Sequence, residues 1–167
     1  MTAVVGIAGW KNSGKTTLAV KVIGELKSRG YRVVSIKHAH HDADIDHENT
    51  DSYRHRAAGA VEVALVTATR WAIIHELHHE PEPPLADILA KLAPADIVIV
   101  EGYKWEAIPK IEVRRQASAQ KGAMAPGDRH IIAIATDDRS RQLESAPVFD
   151  LDDFVAITDF VIHHFDL

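Results

Sequence analysis

One stretch of the chain carries chemistry in its residue types and spacing alone. Gly9-Trp10-Lys11-Asn12-Ser13-Gly14-Lys15-Thr16 satisfies G-x-x-x-x-G-K-[ST] at every fixed position. The glycines allow a tight turn whose successive backbone N–H groups point inward and surround phosphate oxygens. A helix opening at Lys15 adds unsatisfied first-turn amides and the positive end of its dipole. In that frame Lys15 reaches the β- and γ-phosphates, the Thr16 hydroxyl becomes a magnesium ligand, and Thr17 supports the α-phosphate. Gly9, Asn12, Ser13, Gly14, Lys15, Thr16 and Thr17 are therefore the candidate nucleotide-binding residues, and the implied ligand is a nucleoside triphosphate with Mg2+.

Such a loop needs a carboxylate at the end of a neighbouring strand to hold the metal. Ile97-Val98-Ile99-Val100-Glu101-Gly102 is an apolar run ending in an acid, so Glu101 is the second candidate metal ligand beside Thr16. The competing reading is that Glu101 only begins a solvated loop. Asp96 opens the same strand, at the far edge of the sheet. A histidine- and aspartate-rich segment from His38 to about Asn49 leaves another strand, and Asp44 or Asp46 in it could bind magnesium or orient a water. Asp46 and Arg54 are the candidate catalytic groups. The histidines suit a transition metal, but their spacing matches no structural zinc pattern, and a solvated polar loop is the default reading. Thr136-Asp137 follows an apolar run, which makes Asp137 the candidate guanine contact; the competing reading is that it only terminates that strand. No Asn-Lys-x-Asp motif is present.

Short apolar runs alternating with helix-period segments predict an α/β chain, a three-layer P-loop NTPase fold. Its sheet is mostly parallel and flanked by helices, with some antiparallel edge strands. Ala3–Ala8, Tyr31–Lys37, Asp96–Val100 and Ile131–Ala135 read as buried strands. Val61–Val66 and Trp71–His75 read as a hairpin or adjacent edges. Lys110–Arg114 reads as a short edge strand. Helices are expected over Lys15–Arg29, stopped by Gly30, over a segment capped by Thr50 or Asp51 and closed by Gly59, over a stretch bearing Leu85 to Leu92, and from Asp152 onward. Gln116–Asp128 lacks a pattern and reads as a mobile loop.

The 167 residues suit a single domain, 1–167. A net charge of -5 argues against a general nucleic-acid binder, and the absence of cysteine excludes disulfides and thiolate metal sites. Neither a signal peptide nor a membrane-length apolar run is present, so a soluble cytoplasmic protein is expected. His163 and His164 fit a helix C-terminus, where cations complement the dipole, and no function is assigned to them.

The phosphate loop, Lys37-His38-Ala39-His40-His41-Asp42-Ala43-Asp44-Ile45-Asp46, Asp51-Ser52-Tyr53-Arg54-His55-Arg56-Ala57-Ala58-Gly59-Ala60 and Val100-Glu101-Gly102-Tyr103-Lys104 occur in that order. Together they resemble the molybdopterin-guanine dinucleotide biosynthesis adaptor proteins, the MobB family. The resemblance implies a GTP-binding adaptor with Mg2+ that assists molybdenum cofactor guanylyltransferase. It also implies a homodimer with weak intrinsic GTPase activity, and molybdopterin is a further candidate ligand. The preference for guanine rests on this resemblance. One departure is His47-Glu48-Asn49-Thr50, where members often carry a Pro-Gly pair; Asn49 is suited to a left-handed turn there. Two other classes stay open. A small-molecule kinase using ATP would need an arginine-bearing lid, and Arg114, Arg115, Lys121 and Arg129 could form one. A metal-insertion GTPase would use the histidine-rich loop.

Overall fold

The computed structural model describes residues 2–39, 46–120, 122–124, 126–138 and 146–167. The chain packs as two compact units, Met1–His38 with Leu89–Leu167, and Ala39–Ile88. The sequence alone shows no boundary between them.

The first unit is built on six strands: β1 (Ala3–Gly9), β2 (Val33–Lys37), β5 (Ile97–Glu101), β6 (Lys110–Arg114), β7 (Ile131–Thr136) and β8 (Val148–Asp150). Their order is β2-β5-β1-β6-β7-β8, and every pairing is parallel. The helices of the chain are α1 (Lys15–Ser28), α2 (Asp51–Ala57), α3 (Leu85–Lys91) and α4 (Phe154–His164). Strands of this kind are buried on both faces, which explains their continuous aliphatic runs. One face carries Val5, Ile7, Ile97, Ile99, Ile111 and Val113 against Leu18, Val22 and Leu26 of α1 and Ile157 and Val161 of α4. Each fully buried aliphatic side chain there stabilises by about 1.5–3 kcal/mol. The mostly parallel sheet flanked by helices is thus the predicted architecture.

The placement of β6 corrects the sequence reading. Lys110–Arg114 is no edge strand: it lies between β1 and β7. Its alternation of charged and aliphatic residues looked half-solvated, but Lys110 and Glu112 are each only 1% exposed. Lys110 Nζ donates to Glu106 O at 2.7 Å and Lys104 O at 3.2 Å, and pairs with Asp128 Oδ2 at 3.0 Å. Glu112 accepts from the Met124 amide at 2.5 Å and from Arg114 at 2.8 Å. Buried charge is tolerated here because each group finds partners. Gly6 makes room for this: a Cβ there would lie 2.8 Å from Lys110 Cγ. The strand β8, only three residues long, left no readable pattern.

The second unit contains α2 and the antiparallel pair β3 (Glu62–Val66) and β4 (Trp71–His75). The antiparallel strands form their own two-stranded sheet rather than an edge of the larger one. Thr50 caps α2 by accepting from Tyr53 N at 3.3 Å, and Asn49 takes the left-handed conformation, φ 74°. The helix therefore begins where the sequence placed it, with Asn49 doing the work of the missing glycine. α4 starts at Phe154, two residues later than expected, and the Asp153 side chain caps it by accepting from Ala156 N at 3.0 Å.

Candidate functional site

In a parallel sheet all carboxyl ends meet at one edge, which is where ligands collect in open α/β folds. The last residues of β1, β2, β5 and β6 bring Gly9, Lys37, Glu101 and the Arg114-Arg115 turn to that edge. Between β1 and α1 the chain turns through Asn12, φ 62°, and Gly14, φ 97°, both left-handed. Gly9 is required by space: a Cβ there would overlap Val113 O and lie 2.7 Å from Ser13 Oγ.

Gly14 caps α1 without any side-chain hydrogen bond, and the first turn holds no acidic residue. The opening amides of α1 are thus left for an external anion. A cleft of about 350 Å³ lies over them, lined by Asn12, Gly14, Lys15, Thr16, Thr17, Glu101 and Arg115. The Lys15 ammonium donates to Trp10 O at 2.6 Å across the loop. Burial lowers its pKa first, followed by the neighbouring Lys104 charge; Glu101 opposes and Lys37 adds to the lowering. That crowding of cations is relieved by a bound polyanion.

Thr16 Oγ1 donates to Glu101 Oε1 at 2.5 Å. The two candidate metal ligands, far apart in sequence, therefore share one position. Hydroxyl plus carboxylate is an all-oxygen donor pair of the type a hard cation such as Mg2+ accepts, with phosphate and water oxygens completing its shell. Glu101 is not the start of a solvated loop, since its side chain is only 14% exposed. Gly102, φ 99°, follows it because a Cβ there would lie 2.9 Å from His38 Cβ. The His38 ring stacks on Tyr103, centroids 4.3 Å apart, and Lys104 Nζ sits 5.2 Å from the centre of the Trp10 ring.

Other candidates fall elsewhere. Ser13 is buried, its Oγ turned toward Gly9 and without a hydrogen-bond partner among the described groups, and its amide donates to Trp10 O at 3.2 Å. Asp137 follows β7, where its Oδ1 accepts the Gln116 amide at 2.8 Å and its Oδ2 lies 3.8 Å from Arg115 Nε. Asp46 and Arg54 belong to the second unit. Asp46 Oδ1 accepts from Thr50 Oγ1 at 2.8 Å and His47 N at 3.0 Å, while Arg54 lies exposed on α2, 3.9 Å from Asp51. His40, His41, Asp42, Asp44 and Lys121 lie outside the described residues. Among the described residues no group of three or more His, Cys, Asp or Glu is placed to hold a metal ion.

Two residues join the cleft without having been singled out for it. Lys37 Nζ lies 3.3 Å from both Thr16 Oγ1 and Glu101 Oε1. The signal in the sequence was a lysine closing an apolar strand. The Arg115 guanidinium lies 3.9 Å from where a Gly14 Cβ would be, directly over the loop; the sequence offered it only as lid material.

A family model described as molybdopterin guanine dinucleotide synthesis protein B, MobB, matches residues 4–137. The chain is 37% identical over 164 residues to a molybdopterin-guanine dinucleotide biosynthesis adapter protein of Escherichia coli (strain K12), covering 97% of this chain and 93% of that one. A protein of the same name from Haemophilus influenzae is 39% identical over 169 residues, covering 97% and 90%. The X-ray crystal structure of a MobB protein homolog from Bacillus stearothermophilus aligns with a TM-score of 0.74 and 28% identity, over 98% of this chain and 97% of that one. The matched region contains the phosphate loop, Lys37, Glu101 and Arg115 alike, and the chain belongs to the MobB family.

Proposed function

We propose that the chain binds GTP with Mg2+ in the cleft over α1 and acts as an adaptor for molybdenum cofactor guanylyltransferase in molybdopterin guanine dinucleotide biosynthesis. The observation that carries the reading is the 2.5 Å approach of Thr16 Oγ1 to Glu101 Oε1 beside uncapped helix amides. Asn12 and Gly14 to Thr17 form the cradle, with Gly9 and the buried Ser13 shaping the turn behind it, Lys15 and Arg115 bring positive charge to the phosphates, and Thr16 with Glu101 would hold the metal. Bound magnesium supplies charge neutralisation between the phosphate oxygens. The choice of guanine is supported by the names of the relatives, since the Asp137 carboxylate is already engaged by Gln116 and Arg115. No described helix is long and apolar enough to cross a membrane.

Calorimetric titration of the purified protein with GTP and ATP, each with and without Mg2+, tests this directly. Tighter binding of GTP in the presence of magnesium is expected. A preference for ATP would remove the adaptor reading in favour of a small-molecule kinase.

The same reading includes a homodimer. Val66 and Trp71, opposite each other across the hairpin, are 74% and 69% exposed, and Ile73, two residues along from Trp71 on the same face, is about half exposed. A contiguous apolar patch of this kind commonly marks an interface. Val66→Asp with Trp71→Glu is expected to weaken self-association by about thirtyfold or more, read by sedimentation velocity. An unchanged dimer mass would take the hairpin out of the interface.

A further inference from the structure

Lys37 occupies an unusual position in the cleft. β2 and β5 pair in register, Lys37 opposite Glu101, so both side chains leave the same edge of the sheet at the same level. From there the Lys37 ammonium lies 3.3 Å from Thr16 Oγ1, 3.3 Å from Glu101 Oε1 and 3.5 Å from Glu101 Oε2. These oxygens belong to the two residues that fit a magnesium ion. The other cations around the cleft are directed elsewhere: Lys15 to Trp10 O, Lys104 to the face of the Trp10 ring and Arg115 toward Asp137.

We infer that Lys37 is an internal counterion of the metal site, holding Thr16 and Glu101 with its ammonium until a divalent cation takes them over. The inference rests on the proposed nucleotide reading for its biological setting, but its geometry does not. An ammonium and a hard divalent ion compete for the same oxygens, because two cations that close repel strongly in a partly buried site. Lys37 is 61% exposed at its side chain, so nothing pins it against leaving. Its four-carbon stem then lets the charge move to phosphate oxygens over the cleft, where a mobile point charge is useful. The device keeps the carboxylate compensated in the empty protein and makes metal entry depend on nucleotide, which receives the displaced ammonium.

The test compares wild type with Lys37→Met, which keeps the stem and removes the charge, and with Lys37→Arg, which keeps the charge. The first measurement is the ratio of GTP dissociation constants without and with Mg2+. Lys37→Met is expected to raise that ratio by about tenfold, since without Mg2+ the uncompensated Glu101 carboxylate faces the phosphates, whereas with Mg2+ the metal no longer has to displace an ammonium and that gain offsets the lost phosphate contact. Lys37→Arg should stay within about twofold of wild type. The second measurement, on nucleotide-free protein, is Mn2+ uptake followed by electron paramagnetic resonance. Here Lys37→Met is expected to bind Mn2+ about tenfold more tightly than wild type, and the gain should vanish in Lys37→Met with Glu101→Gln. A ratio that is unchanged or lower in Lys37→Met would overturn the inference. If wild type binds no triphosphate at all, the nucleotide reading fails, and the Mn2+ comparison alone decides the role of Lys37: equal Mn2+ affinity in wild type and Lys37→Met overturns it.

Discussion

Lys15→Ala is expected to lower GTP affinity by about a hundredfold or more, with no loss of fold. The lysine side chain is half-buried at the mouth of the cleft, where its ammonium donates to Trp10 O at 2.6 Å. Its removal therefore leaves the core of α1, built from Leu18, Ala19, Val22 and Leu26, untouched. What is lost is a charge-assisted contact to phosphate in a site where Lys104 and Lys37 already crowd the ammonium. Isothermal calorimetry reads the affinity, and far-ultraviolet circular dichroism with a thermal melt reads the fold. Undiminished affinity in a folded variant would remove the phosphate-cradle reading altogether.

Lys110→Met is expected to destabilise the protein by about 1–3 kcal/mol, because it takes the ammonium away from the Lys104 and Glu106 carbonyls and the partly buried Asp128 carboxylate. Lys110 is 1% exposed and joins three separated points of the chain, Lys104 O, Glu106 O and Asp128. Methionine fills the volume but leaves two carbonyls and a carboxylate without their donor. A urea titration should show a lower midpoint with an unchanged slope. The same network predicts an acid signature. Asp128 is held down to about 2 from 3.8, chiefly by the His130 amide and then by Lys110. Its folded pKa is the lower one, so its contribution is full above pH 3.8 and disappears as pH falls toward 2. In Lys110→Met that acid dependence should shrink without vanishing, since the His130 amide remains. Equal midpoints in wild type and variant would show that the buried ammonium adds nothing to stability.

The Lys110 network bears on the site as well. Lys104 and Glu106 lie on the turn that follows Glu101-Gly102, so the buried ammonium helps hold the segment carrying Lys104 against Trp10. A partial loss of nucleotide affinity in Lys110→Met, beyond what reduced stability explains, is consistent with this arrangement.

Much of the site was legible because its chemistry is local. Gly9 to Thr17 are contiguous, and a strand followed at once by a helix leaves those amides no other geometry. Glu101 was legible through an apolar run ending in an acid. Lys37 and Arg115 were not, since their arrival at the cleft depends on which strands lie side by side. Asp137 was readable as the residue after a strand, but not as the partner of Gln116 and Arg115.

By itself, the sequence determined the phosphate loop, the capping of α2 by Thr50, the helix-ending glycines, and the family, each through residues near in the chain. Only the tertiary structure decided that β6 lies inside the sheet, that Lys110 and Glu112 are buried and compensated, and that Thr16, Lys37 and Glu101 share one position. The physical reason is the same in each case. Strand order and charge compensation arise from pairings between distant segments, and no local pattern of hydrophobicity or spacing records them.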